Sequence, residues 1–280
     1  MRIAISNLAW DVCIDEEIAA LLLSYGIDAI DIAPGKYFPD IRNAPTSEIV
    51  RIREWWAVRG IALTGMQALL FGSAGLNMFG NHDVQTSMLS HFEEICRIGS
   101  ILGATRLVFG SPKNRDRCAL ENDQVHDIAL NFFYRLGEIA FRHGVVICLE
   151  PNPPCYGSNF MMNSAETASI VNAVSHQAIR MQLDTGAMTI NCEDPEVIIS
   201  EYGSLIGHVH ASEPNLVVLG DGKTDHAHIA DLLLAYLPDQ IVSVEMLQSK
   251  TESHKVAIER ALRAAISHYR NVQLPGECGK

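Results

Sequence analysis

Eight short apolar runs, each followed by a longer amphipathic segment, constrain the fold of this 280-residue chain. The runs fall at 2–6, 27–32, 61–66, 104–110, 145–150, 179–184, 205–210 and 241–246. They are rich in Val, Ile and Leu, the composition of strands covered on both faces. Between them, apolar residues recur at helical spacing over 15–25, 46–59, 85–102, 122–143, 164–175, 195–202, 228–236 and 253–269. Gly26, Gly60, Gly103 and Gly144 stand where four of these segments end, and Asp15, Thr46, Ser164 and Asp194 mark starts. This alternation, with no linker and no low-complexity insert, predicts one α/β domain over 1–280, a single (β/α)8 TIM barrel. An open doubly wound sheet is the competitor, but its first strand-to-helix turn usually carries a glycine-rich phosphate loop. Here that turn reads Asn7-Leu8-Ala9-Trp10.

Four of the runs close in residues that do not belong in an apolar strand: Glu150, Asp184, His210 and Glu245. The steps from 150 to 184, 184 to 210 and 210 to 245 are each about one strand–helix unit. Consecutive barrel strands therefore deliver all four to the rim where barrel chemistry sits. A charge at the end of a Val/Ile/Leu run is costly to bury unless something neutralises it. Three carboxylates and an imidazole facing one point suit a divalent cation. Each residue also has a plainer reading. Glu150 and Glu245 could cap a helix or pair with an arginine, Asp184 could make an Asx-turn, and one histidine of His208-Val209-His210 could be a satisfied core residue. Alternation along the strand sends both imidazoles to one side, with His210 nearer the rim and His208 deeper.

Composition narrows the partners. With 21 basic against 33 acidic residues and a net charge of −12, the chain lacks the basic face that a nucleic-acid grip needs. At 48% hydrophobic and 19% charged residues, it has material for a large core. Seven scattered cysteines with no C-x-x-C pair argue against a disulfide scaffold and for a reducing cytoplasm. Met1–Ser6 enters a strand at once without a signal-peptide apolar core, and the apolar stretches are too short to span a bilayer. The expectation is a soluble cytoplasmic protein with neither a membrane nor a nucleic-acid partner.

The chain resembles the xylose-isomerase-like superfamily of sugar isomerases, sugar-phosphate isomerase/epimerases and endonuclease-IV-like proteins, and within it the ketose 3-epimerase branch. The segments carrying the likeness are Cys148-Leu149-Glu150-Pro151-Asn152, Met181-Gln182-Leu183-Asp184-Thr185, Gly207-His208-Val209-His210-Ala211-Ser212-Glu213-Pro214-Asn215, Gly220-Asp221-Gly222 and Ser243-Val244-Glu245-Met246. The resemblance implies that Glu150, Asp184, His210 and Glu245 bind one Mn²⁺, Mg²⁺ or Co²⁺, with Zn²⁺ an alternative. It also implies that Glu150 and Glu245 remove and return a proton on opposite faces of a small carbohydrate substrate. Removing a proton beside a carbonyl creates an enediolate, whose charge a cation stabilises. A metal-bound carboxylate then needs a second partner to act as a base, and His208 or Glu213 could serve. Dimerisation through the outer helices follows from the resemblance alone.

Three positions depart from the ketose epimerase pattern. Ala187 stands where a histidine follows the strand-six aspartate, Leu216 where an arginine ends the strand-seven motif, and Tyr156 where a second glutamate follows strand five. The ligand positions are intact, but their surroundings do not match those of a free-ketohexose site. The same chemistry would serve a metal-dependent lyase or dehydratase, and a non-catalytic sugar-binding barrel is a third reading. Endonuclease-IV-like repair needs further histidines, whereas strands three and four end in Met66-Gln67 and Phe109-Gly110. Lys113, Arg115 and Arg117 in the loop after strand four suggest an anchor for an anionic substrate group, to which Lys223 and His226 could add. Trp10, Gln67, Asn152 and Tyr156 are candidate walls, and Trp10 and Phe71 could stack on a sugar. His82 and His91 read as surface or helix residues.

Overall fold

A computed structural model describes residues 1–270. Its strands are β1 (Arg2–Ser6), β2 (Ala29–Ile32), β3 (Ala62–Met66), β4 (Arg106–Phe109), β5 (Val146–Leu149), β6 (Ile179–Asp184), β7 (Ile206–Ser212) and β8 (Ile241–Glu245). They pair in chain order, all parallel, and β8 closes on β1. The expected (β/α)8 barrel is therefore the fold. Parallel pairing forces every connection to return along the outside, so all eight strand ends meet on one rim.

The connections carry α1 (Asp15–Ser24), α2 (Thr46–Ala57), α3 (His82–Leu102), α4 (Asn122–Arg142), α5 (Ser164–Val174), α6 (Thr185–Asn191), α7 (Pro195–Tyr202), α8 (His226–Tyr236) and α9 (His254–Tyr269). Most boundaries follow the sequence reading, and the differences have local causes. α3 begins at His82 rather than Gln85, because the Asn81 side chain accepts the Val84 N–H and caps a polar first turn. α8 begins at His226, capped by Asp225. α6 was not expected: seven residues are too few for a periodic signal, and Asp184 itself caps the helix. β4 is shorter than its apolar run, and β7 continues two residues beyond His210. At Gly103 the chain leaves α3 with φ +79°, the left-handed turn expected there.

Between sheet and helices lie Trp56, Phe92, Phe132 and Phe133, all fully buried, with Phe92 and Phe133 edge-on to Phe109 of β4. Truncating such a residue costs about 3–5 kcal/mol, so this shell holds the barrel rim in place. Among the described residues no helix is long and apolar enough to cross a membrane. The six described cysteines are free. Cys278 and the last ten residues of the expected 1–280 domain lie outside the described residues.

Candidate metal centre and active site

Glu150 follows β5 directly, Asp184 and Glu245 are the last residues of β6 and β8, and His210 lies in β7 opposite Asp184. The barrel brings them together: one donor atom from each lies within 4.8 Å of the others, and all four residues are buried. Nδ1 of His210 is 3.2 Å from Oε2 of Glu245 and 3.4 Å from Oε1 of Glu150. Oε1 of Glu150 has no hydrogen-bond partner. A buried carboxylate oxygen that accepts no hydrogen bond, in a set of three carboxylates and one imidazole, fits a divalent cation that takes mostly oxygen ligands.

The electrostatics of the cluster are those of packed like charges. Burial, then Glu245 and Glu150, push the Asp184 pKa well above the usual carboxylate range. Burial alone would strip His210 of its proton, but Glu245 and Glu150 outweigh it and hold the imidazole well above its usual pKa. Glu245 shifts the other way: burial would raise its pKa, yet His210 and hydrogen bonds from Asp184 and Gln67 lower it.

Neighbouring groups fix each carboxylate. The Gln67 amide donates to Oε1 of Glu245 at 2.5 Å, and Asn152 donates to Oε2 of Glu150 at 3.2 Å. Asn152 is itself held by the Arg115 guanidinium at 2.5 Å. Ser212 donates to both oxygens of Asp184, while the Ala187 N–H donates to Oδ1 at 2.6 Å. Asp184 thus fulfils the Asx-type reading and faces the cluster as well. Gly110, after β4, is needed for space, because a Cβ there would overlap the Glu150 carboxylate. Beneath the cluster, Asp31 of β2 accepts from Thr64 at 2.8 Å and meets Nε2 of His208 at 2.7 Å. Sequence reading passed over Asp31, although an aspartate between Ile30 and Ile32 in an apolar run was a usable signal.

A cavity of about 510 Å³ opens above the carboxylates. Glu150, Asp184, Glu245, Gln67, Lys113, Asn152, Tyr156 and Glu213 line it, and His210 lies below its floor. The structure does not bring Trp10, Arg115, His208, Lys223 or His226 to the cavity wall. Trp10 is a core residue whose indole N–H donates to Asp15 at 2.7 Å. His208 is committed to Asp31. Arg115 is fully buried behind Asn152, and burial lowers its pKa to about 10. Arg117 turns to Leu120 and Asn122. Lys223 is exposed, while His226 sits between the Tyr269 hydroxyl (2.6 Å) and Glu213 (3.2 Å). Glu213 also accepts the Gly220 and Thr224 N–H groups at 3.1 Å, so it organises the β7–α8 loop. The partners of the two glutamates are therefore Gln67 and Asn152 rather than His208 and Glu213. The basic loop does not converge either: Lys113 is the single cation lining the cavity among the described residues. His82 and His91 both fit the surface-or-helix reading: His82 is exposed, and His91 is a buried helix residue bonded to the Leu69 carbonyl.

A family model described as "Xylose isomerase-like TIM barrel" matches residues 19–272. Over 99 residues the chain is 31% identical to a D-psicose 3-epimerase from Ruminiclostridium cellulolyticum, a match spanning 35% of this chain and a third (33%) of that relative. A solved D-psicose 3-epimerase, crystallised with D-fructose present, superposes with a TM-score of 0.80 at 18% identity, covering 96% of this chain and 99% of that one. The 3-keto-D-glucoside 4-epimerase YcjR from E. coli does so at 0.76 and 17%, covering 94% and 99%. An IOLI protein crystallised with a zinc atom does so at 0.75 and 17%, covering 96% and 98%. At these identities the structural likeness speaks for the fold. On the family match, which takes in most of its length, the chain belongs to the xylose isomerase-like TIM-barrel family.

Proposed function

We propose that the chain is a divalent-metal-dependent isomerase or epimerase of a sugar or sugar derivative, in which Glu150 and Glu245 move a proton on carbon beside a carbonyl. The observation that carries this reading is the pair of buried glutamates at the cavity floor, both within 3.4 Å of His210 Nδ1 and each clamped by an amide. When bound by Glu150, Asp184, His210 and Glu245, a cation would polarise the substrate carbonyl and offset the charge developing as the proton leaves. Three carboxylates with one imidazole favour Mn²⁺, Mg²⁺ or Co²⁺, with Zn²⁺ within the range of the same donors.

Glu245 stands ionised, since its pKa is held low, and Gln67 fixes one of its oxygens, so the carboxylate is oriented to take the proton. Glu150, steadied by Asn152, completes the pair. Removal by one and return by the other inverts the carbon; return to the neighbouring carbon isomerises the sugar. The epimerase relatives, which act on ketoses and a keto-glucoside, support a carbohydrate as the substrate class.

The test is solvent-deuterium incorporation by metal-loaded protein across ketoses, keto-glycosides and sugar phosphates. Glu150→Gln and Glu245→Gln should each lower exchange by about 10²–10⁴-fold, the usual contribution of a positioned acid or base. Wild-type exchange in either variant would remove the two-carboxylate mechanism.

A further inference from the structure

The cavity changes character from floor to mouth. Glu150, Asp184, Glu245, Gln67 and Asn152 are all buried at its base. Much of its outer wall is apolar: Phe71 is 81% exposed and Leu247 50% exposed, with Leu216 half-buried, while Lys113 and Asn215 are exposed polar residues of the same lining. Single exposed apolar side chains are ordinary, but several gathered around one cavity mark a binding surface.

Hydrogen bonds preform this mouth. The Phe71 N–H donates to Ala68, and both the N–H and hydroxyl of Ser73 donate to the Leu70 carbonyl. The Leu247 N–H donates to the Leu216 carbonyl at 2.9 Å, and the Asn215 N–H donates to the Tyr156 hydroxyl at 2.8 Å. Ala68 (φ +53°) and Leu216 (φ +54°) both hold left-handed backbone, a conformation that costs about 1–3 kcal/mol for such residues. Strain of this kind persists where the surrounding structure enforces it, and functional sites are where it gathers.

We propose that the substrate is amphipathic, a hydroxy-ketone sugar carrying an aryl or alkyl substituent that seats against Phe71, Leu216 and Leu247. The proposal rests on the reading that the hydroxy-ketone end lies on Glu150 and Glu245. Hydroxyl groups of a bare sugar would find no partners on these three side chains, and leaving polar groups unpaired opposes binding. A phosphate would meet one lysine, Lys113, in a cavity whose other charged side chains are all carboxylates. The volume of about 510 Å³ falls in the range of sites for drug-sized ligands, roughly 300–1,000 Å³, and leaves room for a substituent beyond the sugar ring.

Methyl and phenyl 3-keto-glucosides share one hydroxy-ketone and differ only in the apolar group, so they isolate its effect. In calorimetric titrations of the Mn²⁺-loaded chain, the phenyl compound should bind at least about tenfold more tightly, from burial of the ring. Phe71→Ala and Leu216→Asn should each shrink that ratio, and thermal melts will show that these surface variants fold. Equal affinities, a ratio that survives both substitutions, or no binding of the phenyl compound would overturn the proposal. Deuterium exchange in the same samples separates the two readings. Exchange with both compounds at equal affinity would sink the apolar subsite and leave the chemistry standing. Tighter phenyl binding with no exchange would do the reverse.

Discussion

Strands β5–β8 and β1–β4 end on the same rim, yet the two halves finish in different chemistry. The second half supplies every donor of the cluster: Glu150, Asp184, His210 and Glu245. The first half supplies none. It contributes Gln67, which clamps Glu245, and Gly110, whose missing side chain leaves room for Glu150. It also brings much of the cavity's apolar wall, through Leu8, Leu69 and Phe71. The second half carries the proposed reacting groups and, through Asn152 and Ser212, part of their support; the first half adds the clamp on Glu245, the space for Glu150 and much of the wall above them.

The sharpest way to break this division is to attack the chemistry from the half that bears no donor. Gly110→Ala should displace Glu150 and lower exchange by about 10²-fold or more, as loss of a positioned acid or base does. The circular dichroism spectrum should remain that of the wild type, and undiminished exchange would show that Glu150 does not need this space. Gln67→Ala comes next, with an expected loss of about 10–100-fold in metal affinity or exchange, typical of groups that orient a ligand. If both parameters are unchanged, the amide clamp on Glu245 is idle.

Protons sharpen the account of the donor half. In the metal-free cluster Asp184 and His210 both hold protons more tightly than usual, and both must release them to a cation. Metal affinity should therefore fall as pH drops through the raised pKa values and strengthen as pH rises, by about tenfold per pH unit for each proton displaced. A flat profile between pH 5 and 8 would contradict the assigned ligands. The smallest expected contrast concerns Arg115. Because it acts through Asn152 and does not line the cavity, Arg115→Met should impair neutral and phosphorylated substrates alike, within about threefold of each other. A loss confined to anionic substrates would restore the anchor role suggested by the loop sequence.

The two halves also differed in how readable they were. A carboxylate closing an apolar run is conspicuous, because burial without a partner is so costly, and a one-unit spacing then points to consecutive strands. The donor half was legible for that reason. Gly110 carries no such mark, since its role depends on which atoms approach across the barrel, and Phe71 could be read only as one of two aromatic stacking candidates. Arg115 misled for the opposite reason. A basic loop looks like an anion site until folding shows the guanidinium turned inward against Asn152. Trp10 was equally ambiguous, since a stacking platform and a core indole look alike in sequence, and Asp15 settles it as core. Short α6 escaped because its cap, Asp184, also faces the cluster.

The central claim is that Glu150, Asp184, His210 and Glu245 form one cation site. Equilibrium Mn²⁺ binding, followed by loss of the free-ion electron paramagnetic resonance signal, tests it most directly. The wild-type chain should take up one ion, and His210→Ala and Asp184→Ala should abolish that uptake while the thermal melt stays cooperative. Full-affinity binding of one ion by either variant, or no binding by the wild type, would contradict the assignment.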